Sequence, residues 1–73
     1  MSDGEHLVAL KTWAEHRGLA VQASKGTQQE PENVVAVVDT NGGYLLLRAM
    51  SLDSIDTAAS YVIDIIDRLR LDD

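Results

Sequence analysis

Apolar and polar positions recur along this chain with two distinct periods. Between Leu52 and Leu71, Leu52, Ile55, Ala59, Val62, Ile66 and Leu69 return at steps of three and four, and Asp53, Asp56, Asp64 and Asp67 fall opposite them. That spacing predicts one acidic amphipathic helix, with Ser51 as its N-cap and Asp53 and Asp56 in a first turn favoured by the helix dipole. A second stripe, Leu7, Leu10, Trp13 and Ala14, predicts a helix near the N-terminus. Ser2 and Glu5 have the spacing of a capping box there, and Gly18 stands where a left-handed C-cap is wanted.

Between the helices the period drops to two. Leu19–Ser24 alternates as a half-buried edge strand does, and Lys25–Glu32, polar and holding the only proline, reads as a mobile loop. Asn33–Asp39 and Gly43–Met50 are rich in Val, Leu and Tyr and flank Asn41-Gly42, the preferred pair for a two-residue turn. With that turn, Val38 faces Leu45, Val37 faces Leu46, Ala36 faces Leu47 and Val35 faces Arg48. Cross-strand partners share a face. One face of the hairpin then holds Val34, Ala36, Val38, Leu45, Leu47 and Ala49 and is wholly apolar. The other holds Val35, Val37 and Leu46 within a rim of Asp39, Tyr44, Arg48 and Met50.

The predicted fold is α+β: a two-layer α-β-β-β-α domain, a three-stranded antiparallel meander with both helices on its wholly apolar face. Seventy-three residues suit a single small acidic domain, near the lower limit of what a hydrophobic core stabilises alone. The second hairpin face, an apolar centre inside a polar and aromatic rim, is composed as association surfaces are. Both considerations lead to the expectation of a homodimer or a partner-bound form.

Charge narrows the partners. Six basic and twelve acidic residues give a net charge of −6, and six Asp against Arg68 and Arg70 place most of it after Leu52. Lys11, Arg17, Lys25 and Arg48 are scattered, so no basic cluster is available to displace counterions from a nucleic-acid backbone, and direct nucleic-acid binding is not expected. The chain lacks cysteine, and its apolar runs of about five residues fall far short of the roughly 18 that span a bilayer. A cytoplasmic protein without membrane association is the expectation.

Catalytic and cofactor chemistry find little footing. His6 and His16, ten residues apart on one helix, stand about 80° apart in azimuth and about 15 Å apart in rise, not the i, i+4 spacing of a metal pair. Ser24, Ser51, Ser54 and Ser60 have no elbow or glycine-rich context, and carboxylates on a solvated helix face have no reason for a raised pKa. Gly42-Gly43 lacks the helix and lysine of a phosphate loop. Neither an enzyme, a metal site nor a cofactor is expected.

What remains is binding. The leading expectation is a non-enzymatic protein–protein interaction module, a small regulator or inhibitor. It would dock through the sheet face of Val35, Val37, Asp39, Tyr44, Leu46 and Arg48, through the acidic helix face of Asp53, Asp56, Asp64 and Asp67, or through both. A basic nucleic-acid-binding protein would suit the acidic face. One alternative is a nucleic-acid-mimicking inhibitor of a host nuclease or polymerase, of the kind bacteriophages encode. Others are a small dimeric chaperone or adaptor, or an enzyme whose site forms only across a dimer. The element order resembles the double-stranded RNA-binding domain in topology. Where those domains place phosphate-holding lysines, this chain has the acidic segment Ser51-Leu52-Asp53-Ser54-Ile55-Asp56, so the resemblance implies a shape and not RNA binding.

Overall fold

A computed structural model describes residues 4–69 of the chain. Its elements run α1 (Glu5–Glu15), β1 (Leu19–Ser24), β2 (Asn33–Asp39), β3 (Leu45–Ser51) and α2 (Ile55–Leu69), and the strands form one antiparallel sheet in the order β1-β2-β3. The α-β-β-β-α meander is as expected. Both helices lie on one face, α1 against β1 and α2 against β2 and β3, and they pack on each other.

The helix ends follow local chemistry. Ser54, not Ser51, caps α2: its Oγ accepts the Thr57 N–H at 3.0 Å. The Ser51 hydroxyl instead accepts the Asp53 N–H, and Asp53 precedes the helix. Leu52 therefore lies ahead of the helix and is exposed, as is Leu69 at the end of α2, while Ala58, Ala59, Val62 and Ile66 are buried. Gly4 precedes α1 with φ +99°, and Gly18 follows it with φ +68°, the left-handed residue that turns the chain into β1. The Ser2–Glu5 capping box falls on Ser2, outside the described residues.

The hairpin departs from expectation at two points. Its loop is four residues long, Thr40–Gly43, closed by the Asp39 N–H donating to the Tyr44 carbonyl at 2.9 Å. The Gly43 N–H reaches back to the Asp39 carbonyl at 2.7 Å, and the positive φ of +70° falls on Gly43 and not on Gly42. Asp39 organises the turn with its side chain too, Oδ1 accepting the Asn41 N–H at 2.8 Å. The second departure has larger consequences. Val38 pairs with Leu45 as expected, but Val37 then pairs with Leu47, Ala36 with Arg48 and Val35 with Ala49: Leu46 is the extra residue of a β-bulge. Beyond the bulge β3 is turned over relative to β2, so Leu47 and Ala49 keep their predicted place beneath the helices while Val35 and Val37 replace Val34, Ala36 and Val38 beside them.

The face beneath the helices consequently carries Leu19 and Val21 of β1, Val35 and Val37 of β2, and Leu47 and Ala49 of β3. Val35 and Val37 are fully buried, at 0% exposure, and with Leu10 and Val62 they are the largest such side chains in the core. This overturns their assignment to a partner-binding face, and with it the prediction that Val34, Ala36 and Val38 point to the helices. The physical reason lies in Arg48. An unbulged ladder puts Arg48 on the face of Val35 and Val37, so turning those valines inward would bury an unpaired guanidinium, whereas the bulge sends Arg48 outward. The core is small, built without phenylalanine from Leu, Ile, Val and Ala.

Candidate protein-binding surface

The other face of the sheet has no cover among the described residues. Three cross-strand rows make it up: Ala20–Val38–Leu45 near the hairpin loop, Gln22–Ala36–Arg48 across the middle, and Ser24–Val34–Met50 near the β1–β2 loop. Leu45 and Met50 are 59% and 47% exposed, and Leu46, the bulged residue beside them, is 50% exposed. Ala36 forms the floor, buried beneath the longer side chains around it. A groove of about 500 Å³ runs over Ala36 between Gln22, Val34, Leu45 and Arg48.

At one end the groove is walled. The loop 25–32 closes on itself through the Thr27 N–H donating to the Glu30 carbonyl at 2.7 Å and the Glu30 N–H donating to the Thr27 hydroxyl at 3.0 Å. Its base is pinned where the Gly26 N–H donates to Asn33 Oδ1 at 2.9 Å, and buried Asn33 in turn donates to the Ser51 carbonyl at 3.1 Å. Gly26 is required here because a Cβ would lie 2.2 Å from the Pro31 carbonyl oxygen. These bonds give the segment expected to be mobile a defined turn. Together with Val34, Arg48 and Met50 the loop encloses a recess of about 400 Å³, with Lys25, Glu30 and Glu32 on its wall.

Of the six sheet residues expected to bind a partner, the structure therefore keeps Tyr44, Leu46 and Arg48 exposed, buries Val35 and Val37, and commits Asp39 to the turn. The open-face residues not anticipated as binding positions include Ala20, Gln22, Val34, Val38 and Leu45. The signal available in the sequence was Arg48 itself. As the lone charge mid-strand it marks the outward face of β3, and the small or polar Ala20, Gln22 and Ser24 mark the outward face of β1. No local residue announces the bulge that joins those two faces.

The four carboxylates of the acidic helix face divide. Asp64 and Asp67 are exposed, and Asp64 pairs with Arg68 one turn on at 3.0 Å. Asp53 is exposed ahead of the helix. Asp56 is drawn away altogether. Its Oδ1 accepts the backbone N–H groups of His6 at 2.7 Å and Leu7 at 3.1 Å, and its Oδ2 meets His6 Nδ1 at 2.8 Å. A residue in the first turn of α2 thereby serves as the N-terminal cap of α1, whose own cap position is a glycine without a side chain. The hydrogen bond from His6 holds the Asp56 carboxyl below its ordinary range against a partial desolvation, with the two backbone N–H groups adding to the effect. The same bond to Asp56 holds the His6 imidazole above its ordinary range.

Between the two helices, Trp13 is half-buried in a small recess with Ala9, Leu10, Ile63, Ile66 and Asp67, and Arg17 stacks over its ring at 4.7 Å. Its buried Nε1–H meets no acceptor among the described residues. Those residues bring no three His, Cys, Asp or Glu side chains into a metal-binding group, and no described helix is long and apolar enough to cross a membrane. No family model, curated protein or solved structure matches the chain.

Proposed function

We propose that this chain is a non-enzymatic protein-interaction module, a small regulator or inhibitor, that docks a protein partner on the open face of its sheet. One observation carries the reading: exposed Leu45, Leu46 and Met50 sit together with Val34 and Val38 on a sheet face that the chain's own helices leave bare. Contiguous apolar area of that kind, interrupted by one arginine and edged by Tyr44, has the composition of an interface centre. The acidic-helix reading draws on less, because Asp56 and Asp64 are each engaged within the chain and the remaining carboxylates do not follow the regular spacing of a phosphate backbone.

The experiment compares capture from lysate by the wild-type chain, by the double variant Leu45→Asp/Met50→Asp and by Asp64→Lys/Asp67→Lys, with circular dichroism confirming that each is folded. The proposal expects the open-face variant to lose the captured partner and the helix variant to keep it. The reverse pattern would transfer the function to the acidic helix.

A further inference from the structure

We infer that the occupant of the open face is an amphipathic α-helix of another protein carrying a carboxylate within its apolar stripe. The inference rests on the reading of that face as a docking surface and goes on to name the chemistry that fits it.

Charge gives the first argument. Arg48, the fourth of seven residues in β3, is the only charged side chain in the three cross-strand rows, and its neighbour across the ladder is Ala36. It makes no ion pair or hydrogen bond among the described residues. Any partner that covers the groove removes water from this guanidinium, which is costly unless the partner brings an acceptor. A second copy stacked face to face brings another Arg48 to the centre, since its rows hold only Ala, Val, Leu, Met, Gln, Ser and Arg and its carboxylates Glu30 and Glu32 stand on the recess wall at the β1–β2 loop end. The face is thus poorly matched to itself and well matched to an apolar surface with a Glu or Asp at its centre.

Size gives the second. Three strands about 4.8 Å apart and seven residues at about 3.3 Å each make a platform roughly 10–15 Å wide and 20 Å long. Its footprint of roughly 200–300 Å² is too narrow for the broad contact of a stable flat interface, which buries roughly 800 Å² of accessible surface per partner. A single helix about 10 Å across and about 14 residues long, at 1.5 Å per residue, fills it. The sheet already accepts such an element on its other side, where the fifteen residues of α2 lie against β2 and β3. The walled recess at the β1–β2 loop limits how far a docked helix extends along the groove.

The test uses two designed sixteen-residue helical peptides. Both carry leucines at i, i+3, i+4 and i+7 spacing, and they differ only in having Glu or Lys at the centre of the stripe. Each is titrated into the full-length, isotope-labelled chain and followed by amide chemical shifts. The expected result is saturable binding of the Glu peptide, shifts centred on Val34, Ala36, Leu45 and Arg48, at least tenfold weaker binding of the Lys peptide, and a reversed preference in Arg48→Glu. The inference is overturned if neither peptide saturates or if Arg48→Glu leaves the preference unchanged. It is equally overturned if the same amides shift on concentrating the chain alone, which would make a second copy the occupant. Should both peptides fail while Leu45→Asp/Met50→Asp still abolishes lysate capture, the docking surface stands and the helical occupant is wrong. Should that variant capture normally, the docking surface falls as well.

Discussion

The two faces of this sheet are cut from the same three strands, and in β2 from nearly the same residues. Val35 and Val37 point one way, Val34, Ala36 and Val38 the other. One set is sealed beneath two helices and the other lies open, so the alternation within β2 did not decide which. The flanking strands did. Leu19 and Val21 in β1 and Leu47 and Ala49 in β3 turn apolar side chains to one side, while Gln22, Ser24 and Arg48 put the polar side chains of the same strands on the other. A central strand that is apolar on both sides takes its orientation from its neighbours, and here a bulge at Leu46 is needed to make the two neighbours agree.

The contrast is broken most forcefully by moving one charge across the sheet. Val37→Asp places a carboxylate among Leu10, Val35 and Val62 with nothing to pair it. The expected loss exceeds about 4 kcal/mol, against a total of roughly 4–11 kcal/mol for a domain of this size. Val38→Asp, one residue away, puts the same charge on the open face and is expected to leave the chain folded at a much smaller cost. Urea unfolding followed by circular dichroism measures both. Comparable losses in the two variants would mean that the open face is covered in solution.

The sequence was legible where a residue's local chemistry fixes its role. Gly18 is the left-handed residue that follows α1, the stripe of α2 buries Ala59, Val62 and Ile66, and a turn joins β2 to β3 where spacing places it, though with a four-residue loop and not a two-residue one. It was not legible where the outcome depends on residues far apart in the chain. Asp56 reads as a solvated helix carboxylate until α1 is brought beside it, fifty positions away from His6, and becomes a cap. Val35 and Val37 read as a rimmed surface patch because an unbroken ladder carries the register of the turn through the whole hairpin. The turn does set it for Asp39–Tyr44 and Val38–Leu45, and the bulge then resets it. Both errors share a cause: long-range packing chose between local alternatives that were close in energy.

Removing the bulged residue sharpens the same comparison. Deletion of Leu46 would let Val38–Leu45 and Val37–Leu47 follow one another in an uninterrupted ladder, with Arg48 still opposite Ala36. If burial of Leu47 and Ala49 sets the faces, the deletion is tolerated within about 1 kcal/mol, because Leu46 is half exposed and its loss leaves the core intact. Cross-strand nuclear Overhauser contacts between Ala36 and Arg48 would persist. Their replacement by Val35–Arg48 contacts, which needs a new irregularity and puts Arg48 on the face of Val35 and Val37, would show that burial of Leu47 and Ala49 does not set the faces.

The smallest expected effect concerns the seam between the helices that shelter the inner face. Asp56 contributes through its lowered pKa, so its stabilisation is present above the ordinary carboxylate value of 3.8 and is lost as pH falls through the lower value it has in the folded chain. His6 contributes through its raised pKa, so its share is fully present below the ordinary imidazole value of 6.5 and is lost as pH rises through the higher folded value. These are two views of one contact, and they place its greatest strength between about pH 4 and 6.5. Both groups are exposed enough for salt to weaken it. The melting temperature is therefore expected to decline slightly from pH 6 toward pH 8. His6→Gln should flatten that alkaline decline while the two backbone hydrogen bonds to Asp56 persist. Asp56→Ala should flatten it too and also lower the melting temperature at every pH, since the first turn of α1 then loses its acceptor. Hydrogen exchange at the His6 and Leu7 amides separates the two variants. Protection retained in His6→Gln and lost in Asp56→Ala identifies the carboxylate as the cap, whereas equal loss in both would make the imidazole the group that holds α1 in place.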